Sequence, residues 1–479
     1  MTTPGQDGDH EKGVQVTRPL PLSAVVLAAG KGTRLRSTLP KVLHTVAGRP
    51  MLEWVLRAAR AAGCEQIYVV VGHGADQVRN EIEADDVTWV PQEEQLGTGH
   101  AFLQVASHLQ APTTLLVLSG DVPLVAPETL VRLAASARSS WGSMVVAEMP
   151  DPGSLGRVIA APDGSLQRIV EVADATSEEL ENHWINAGIY ALPAPAIFEF
   201  VEQLKPDNAK QELYLTDALT AAADGGQDLA LVSLPEAEEA FGVNDRLDLA
   251  RVHGVLLRRK AEALMREGVS ILDPSRVVVE ADVEVGRDSV IHPGVSLTGR
   301  SRLGEGCTVH QGAWLRDARL GDQVVVEPYC VLEEVEVGNA CRIGPFARMR
   351  PGAVMKERAK IGNFVEIKNS VLAQGVKVNH LAYVGDATVG ESANLGAGTI
   401  TCNYDGVSKH RTEIGKGAFI GSDTMFVAPV SVGDGAMTAA GSVISKDVPP
   451  GALAIERSEQ KTVLDYAKRK LERRKIRKQ

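Results

Sequence analysis

The chain has 479 residues, too many for one typical core, so two or three domains are expected. With 44% apolar and 23% charged residues and no apolar run of membrane-spanning length, its composition is that of a soluble globular protein, expected in the cytoplasm. The net charge of −11 is uneven: residues 461–479 carry nine Lys/Arg against two acids, and taking that +7 from the total leaves a body of −18, a poor general binder of nucleic acid.

Residues 1–22 are polar, rich in chain breakers and without the apolar centre of a signal peptide; they read as a disordered tail. The run AVVLAA then predicts a buried strand, ended by the glycines of LAAGKGTRL (Leu27 to Leu35). Glycines let backbone N–H groups approach an anion, and Lys31 and Arg34 add charge beside them. A dinucleotide fingerprint needs a third glycine where Leu35 stands, and the spacing of a Walker loop is absent. An ordinary strand-to-helix turn is the alternative reading.

From Ser23 to Asp245 strands and helices alternate. QIYVVVG, VTWV, TTLLVLSGD and GSMVVAEM read as strands, and 50–62 and 127–138 as helices, which predicts a mostly parallel sheet covered on both faces. Ligands bind such sheets at the carboxyl ends of strands, where LAAGKGTRL and LSGDVPL both fall. Asp121, in the second of these, is by itself as compatible with a turn or a helix cap as with a ligand site. Residues 246–267 have apolar positions at helical spacing and read as a linker helix.

Beyond Gly268 the period becomes six. Aliphatic residues recur at steps of six from Val279 to Leu315, restart one residue early at Leu320, Val337, Leu372 and Val389, and resume from Ile414 to Ile444. This pattern predicts a parallel β-helix over 268–457, of roughly ten coils. The interruption at 401–413 predicts an excursion from the coil. Residues 458–479 form a basic tail, read as a solvated end with a binding role as the alternative. The five cysteines lie far apart without C-x-x-C, which points to reduced thiols rather than structural zinc.

LAAGKGTRL followed by PKVLH, with EQLGTGHA, GDVPL, INAGIY and GVND, resembles the signature of sugar-1-phosphate nucleotidyltransferases. GPFARMRPG, GNFVEIKNS, NHLAYVGDA, NLGAGTITCNYDG and GSDTMFVAPV resemble a hexapeptide-repeat acetyltransferase. Together, from about Ser23 to Arg457, they resemble the family of bifunctional N-acetylglucosamine-1-phosphate uridyltransferases / glucosamine-1-phosphate acetyltransferases. The resemblance implies a Rossmann-like α/β domain followed by a left-handed parallel β-helix. It also implies a two-reaction enzyme making UDP-N-acetylglucosamine, a precursor of bacterial envelope polymers.

In the first half the resemblance implies attack of a sugar-1-phosphate oxygen on the α-phosphorus of UTP, releasing pyrophosphate. Leu27, Ala28, Ala29 and Gly30 would face the nucleotide, and Arg34 and Lys41 would neutralise phosphates. Gln92 with Gly97 and Thr98 would read uracil, and Ser119 and Gly120 would complete the nucleotide site. Gly156, Glu171 and Asn186 would fix the sugar, while Asp121 and Asn244 would offer hard oxygens to Mg²⁺.

In the second half acetyl-CoA would acylate the amine of glucosamine-1-phosphate, with His380 as general base. Arg350 and Lys368 would bind the sugar phosphate, and Tyr383 and Asn394 the sugar. Asn403, Tyr404 and Lys409, on the excursion, would meet acetyl-CoA along with Ala397, Ser422, Ala440 and Arg457. The resemblance also implies a homotrimer.

Three other readings compete. A purely structural β-helix has no need of Arg350, Lys368, His380, Tyr383 and Asn394. A hexapeptide metal protein of the carbonic-anhydrase kind needs several His ligands, but His292, His310, His380 and His410 show no ligand spacing. A binding scaffold without chemistry leaves the phosphate-type loop unexplained.

Overall fold

The structure is a computed structural model that describes residues 20–476 except 154, 209, 210 and 235. Nearly all of the expected N-terminal tail therefore lies outside the described residues. The chain divides into two compact units between Leu256 and Leu257, within the helix Arg246–Arg266.

The first unit is built on strands β1 (Leu22–Ala28), β2 (Gln66–Val71), β3 (Val87–Pro91), β4 (Thr113–Ser119), β5 (Gly142–Glu148), β6 (Trp184–Ala194) and β7 (Leu229–Ser233). They lie in the order β7-β5-β6-β4-β1-β2-β3, with Arg157–Ala160 and Leu166–Val170 added beside β6. Neighbours among the seven run parallel except that β6 is antiparallel to both β4 and β5; of the two added strands, the first is antiparallel to β6 and the second to the first. Ala24, Val26 and Ala28 pack on one face with Leu52, Val55 and Leu56 of helix α1 (Met51–Ala61). Val25 enters the core of the opposite face with Phe102, Phe198 and Leu219. Burial on both faces explains why β1 is apolar without alternation.

The second unit is a parallel β-helix of three sheets. Its first sheet runs from Ser270–Ile271 to Leu453–Ala454, its second from Val278–Val279 to Val443–Ile444, and its third from Glu284–Val285 to Val430–Val432. Each six-residue step carries the chain from one sheet to the next, so that Leu297, Leu315 and Leu332 stack in register. Every residue of the aliphatic series is buried, including Thr438. Each residue fully withdrawn from water contributes roughly 1.5–3 kcal/mol, which makes the period a strong constraint on the sequence.

The early restarts have a geometric cause. All four fall at the corner between the second and third sheets, where Asp317, Glu334, Asn369 and Asp386 take φ of 43–50°. A single left-handed residue there turns the chain with one residue fewer, and Asp and Asn tolerate that conformation best. The excursion is shorter than the sequence suggests: strands Ile400–Cys402 and Thr412–Ile414 leave residues 403–411 outside the coil. In the basic tail Tyr466–Ile476 is helical. All five cysteines are unpaired, and among the described residues no helix is long and apolar enough to cross a membrane.

Candidate active sites

At the carboxyl end of the first sheet Leu27 lies opposite Ser119, so the loops after β1 and β4 open on one space. A cavity of about 500 Å³ lies there. Its walls are the backbone from Leu27 to Gly30, the side chains of Lys41, Gln92 and Asp121, and Gly97, Thr98 and Ser119. Gly120 ties the two loops together, its N–H donating to the Leu27 carbonyl at 2.9 Å. Gly97 is a true glycine position: its φ is +110°, and a Cβ would sit 2.5 Å from the Leu213 carbonyl oxygen. That segment also clamps the loop, through Gly99 N–H to Leu213 O (2.8 Å) and Leu215 N–H to Thr98 Oγ1 (3.1 Å).

Beside the cavity four predicted residues form one cluster. Lys41 pairs with Asp121 and reaches Asn244 Oδ1 (3.4 Å), which also accepts from Arg34 at 2.8 Å. The chain is pinned for this by Val243 N–H donating to the Asp121 carbonyl (2.9 Å), while Asn244 N–H caps onto Asp248 (2.9 Å).

The three expected sugar contacts form a separate group. Asn186 N–H donates to the Gly156 carbonyl (2.9 Å), Asn186 Nδ2 donates to the buried Tyr190 hydroxyl (2.7 Å), and Glu171 abuts Gly156. They do not line the nucleotide cavity. Glu171 instead opens on a second, acidic one of about 500 Å³ with Asp174, Asp207 and Asp217. Gln95, Thr33 and Glu212 line the nucleotide cavity without having been singled out in the sequence. Gln95 stands inside EQLGTGHA, so a signal existed for it. Glu212 arrives through long-range pairing of its neighbour Leu213 with Leu96, which no local pattern reveals.

In the β-helix, register gathers the remaining residues along two edges. Val378 is opposite Leu395, which is opposite Ile420 and then Thr438. His380, Ala397, Ser422 and Ala440, each two residues further on, therefore form a column at one corner. Arg457 joins its end by donating to the Ala440 carbonyl (3.1 Å). His380 Nδ1 lies 2.7 Å from Asn363 Oδ1, one coil below. Asn363 was not anticipated; only the coil spacing places it there.

Across the second sheet, at its far corner, Asp386 is buried and accepts from Asn369 (2.6 Å), Lys368 (3.3 Å) and Asn403. Burial alone would raise its carboxyl, but these three bonds outweigh that and hold it below the usual range. Lys368 and Lys409 meet closely: hydrogen bonding to Lys409 and pairing with Asp386 raise Lys368, and that ammonium lowers Lys409. Arg350 pairs with Glu366 (3.0 Å), whose register partner is Tyr383. Tyr404 is exposed on the excursion and bridges to Lys409. Asn394 stands apart, on the first sheet opposite Lys377 and Phe419.

Comparison with known proteins agrees with this division. Residues 24–203 match the MobA-like NTP transferase domain, and residues 411–446 match the bacterial transferase hexapeptide of six repeats. The chain is 49% identical to the bifunctional protein GlmU of Alkalilimnicola ehrlichii over 442 residues, 92% of this chain and 95% of that one. Its identity to the bifunctional protein GlmU of Syntrophotalea carbinolica is 49% over 448 residues, 93% and 96% of the two chains. For the protein of that name from Anaeromyxobacter sp. it is 47% over 460 residues, 95% and 94%. The chain belongs to the bifunctional GlmU family: it is an enzyme with a uridyltransferase on a Rossmann-like domain and an acetyltransferase on a left-handed parallel β-helix.

Proposed function

We propose that residues 23–245 hold the uridyl-transfer site in the cavity at β1 and β4, and that residues 268–457 hold the acetyl-transfer site on the second sheet of the β-helix. Residues 246–267 join them, and 1–22 and 458–479 lie outside both. The enzyme acetylates glucosamine-1-phosphate with acetyl-CoA, then transfers UMP from UTP to N-acetylglucosamine-1-phosphate with release of pyrophosphate.

The observation that carries the acetyl assignment is the Asn363–His380 contact. Asn363 Oδ1 accepts, so Nδ1 of the neutral imidazole carries the proton and Nε2 keeps a lone pair. Nε2 takes a proton from the sugar amine as its nitrogen bonds to the thioester carbonyl; the C–S bond then breaks and CoA leaves. Lys368 and Arg350 hold the sugar phosphate, Tyr383 contacts the sugar, and the column from Ala397 to Arg457, with Asn403, Tyr404 and Lys409, guides CoA. Asn394 lies on a different sheet from Lys368 and Tyr383. A site containing all three therefore takes Asn394 from a second copy, which supports a closed homotrimer. The half-exposed stripe Tyr329, Phe346, Phe364 and Leu381 is an apolar edge for such packing.

In uridyl transfer the protein aligns the reactants and neutralises charge. The backbone from Leu27 to Gly30 and the side chains of Arg34 and Lys41 meet the phosphates; Gln92, Gly97 and Thr98 meet the base. Ser119 and Gly120 close the nucleotide site, and Gly156, Glu171 and Asn186 hold the sugar. Asp121 and Asn244 fit Mg²⁺: both already turn an oxygen to one cation, the Lys41 ammonium. A single carboxylate and a single amide leave other positions to water and phosphate oxygens, as Mg²⁺ prefers. When bound, the ion offsets phosphate charge. Chelation by EDTA is expected to abolish uridyl transfer, with recovery on adding Mg²⁺, and to leave acetyl transfer unchanged. Uridyl transfer that persists in EDTA would contradict the assignment.

A further inference from the structure

Behind the base-reading part of the cavity lies a short hydrogen-bonded chain that the reaction itself does not use. Gln92 is 4% exposed and lines the cavity, and its amide is fixed by two neighbours. Nε2 lies 3.3 Å from the Gly97 carbonyl, which can only accept, so the NH₂ group faces that way. The same nitrogen lies 3.0 Å from His100 Nδ1, which must then accept the second proton. A neutral imidazole has one accepting nitrogen, so its proton sits on Nε2. Gln104, half-exposed at the end of the helix Thr98–Leu103, brings its own Nε2 to 3.1 Å from His100 Nε2 and donates it to the His100 carbonyl (3.1 Å). Two N–H groups cannot face each other there; Gln92 is buried and Gln104 half-exposed, so it is the Gln104 amide that gives up the His100 carbonyl and turns an oxygen toward the imidazole N–H.

With both amide protons of Gln92 spent, its Oε1 is left as an acceptor for the cavity. Uracil presents an N3–H donor on its pairing edge, whereas N3 of cytosine is an acceptor. We infer that His100 is a positioning residue for base selection, holding the Gln92 amide so that the site takes a pyrimidine with N3–H and refuses one without it. If the imidazole did not accept, only the Gly97 carbonyl would oppose a flip of the amide, and the flipped form presents NH₂ to cytosine N3. The inference rests on the proposed role of Gln92 as the base reader.

The test compares UTP and CTP as substrates by the ratio of their kcat/KM values. His100→Phe keeps a ring without an acceptor, and His100→Asn restores a carbonyl near the place of Nδ1. His100→Phe is expected to lower the UTP preference about ten-fold, the effect of one net hydrogen bond. The change should lie in KM for UTP, and His100→Asn should stay close to the parent. Equal losses toward both nucleotides, or an unchanged ratio, would overturn the inference; if His100→Phe does not fold, His100→Ala gives the same comparison. Gln92→Ala separates the two levels. A lowered preference in Gln92→Ala with none in His100→Phe removes His100 alone, and an unchanged preference in Gln92→Ala removes the base-reading role and this inference with it.

Discussion

Asp405 shows how one side chain organises a segment outside regular structure. Its carboxylate accepts from the N–H groups of Val407 (2.8 Å) and Ser408 (2.7 Å) and from His410 Nε2 (2.7 Å). The backbone bond from Ser408, the His410 bond and the bond from Val407 hold its carboxyl far below the usual range. Asp405→Ala is expected to loosen residues 403–411 and raise KM for acetyl-CoA several-fold with kcat little changed, read from steady-state kinetics. His292 makes a pH argument of its own. Burial lowers its imidazole, and His310, with ring centroids 4.5 Å apart, lowers it further. A folded-state pKa below the unfolded value of about 6.5 means that stability is full above that pH and is lost as pH falls through it. Melting temperatures are therefore expected to drop between pH 7 and 5.5, and the drop should shrink in His292→Asn.

At the scale of elements, the β-helix was the most legible part of the chain. An inward position in a narrow prism admits only apolar side chains, so Val279 through Ile444 declare the coil. Even the corner chemistry left a trace, as the five-residue steps at Asp317, Glu334, Asn369 and Asp386. Leu315 is wholly buried between Leu297 and Leu332, so Leu315→Ala is expected to cost about 2–5 kcal/mol, measured by denaturant unfolding. The first unit was less transparent. The runs of β1 to β5 were evident, but β6 and β7 were not read as strands, and the antiparallel course of β6 has no local mark because a strand buried on both faces reads alike in either direction. The loops after β1 and β4 were visible as glycines and charges on strand ends. Glu212 was not, since it reaches its site through a pairing distant in sequence, and Asn363, though inside GNFVEIKNS, meets His380 only through the register of successive coils.

The molecule as a whole carries two chemistries on two separately built units. Asp121 belongs to the cluster beside the first sheet's cavity, and His380 to a corner of the β-helix. Removing one group should not disturb the other site, because each cluster is built from residues of its own unit. The most direct test supplies glucosamine-1-phosphate, acetyl-CoA, UTP and Mg²⁺ to the parent and to two variants, and resolves the products by mass. The parent should form UDP-N-acetylglucosamine. Asp121→Ala should stop at N-acetylglucosamine-1-phosphate, and His380→Ala should form neither product unless N-acetylglucosamine-1-phosphate is supplied, when it should make the nucleotide sugar at the parental rate. A folded variant at either position that loses both activities would contradict the account.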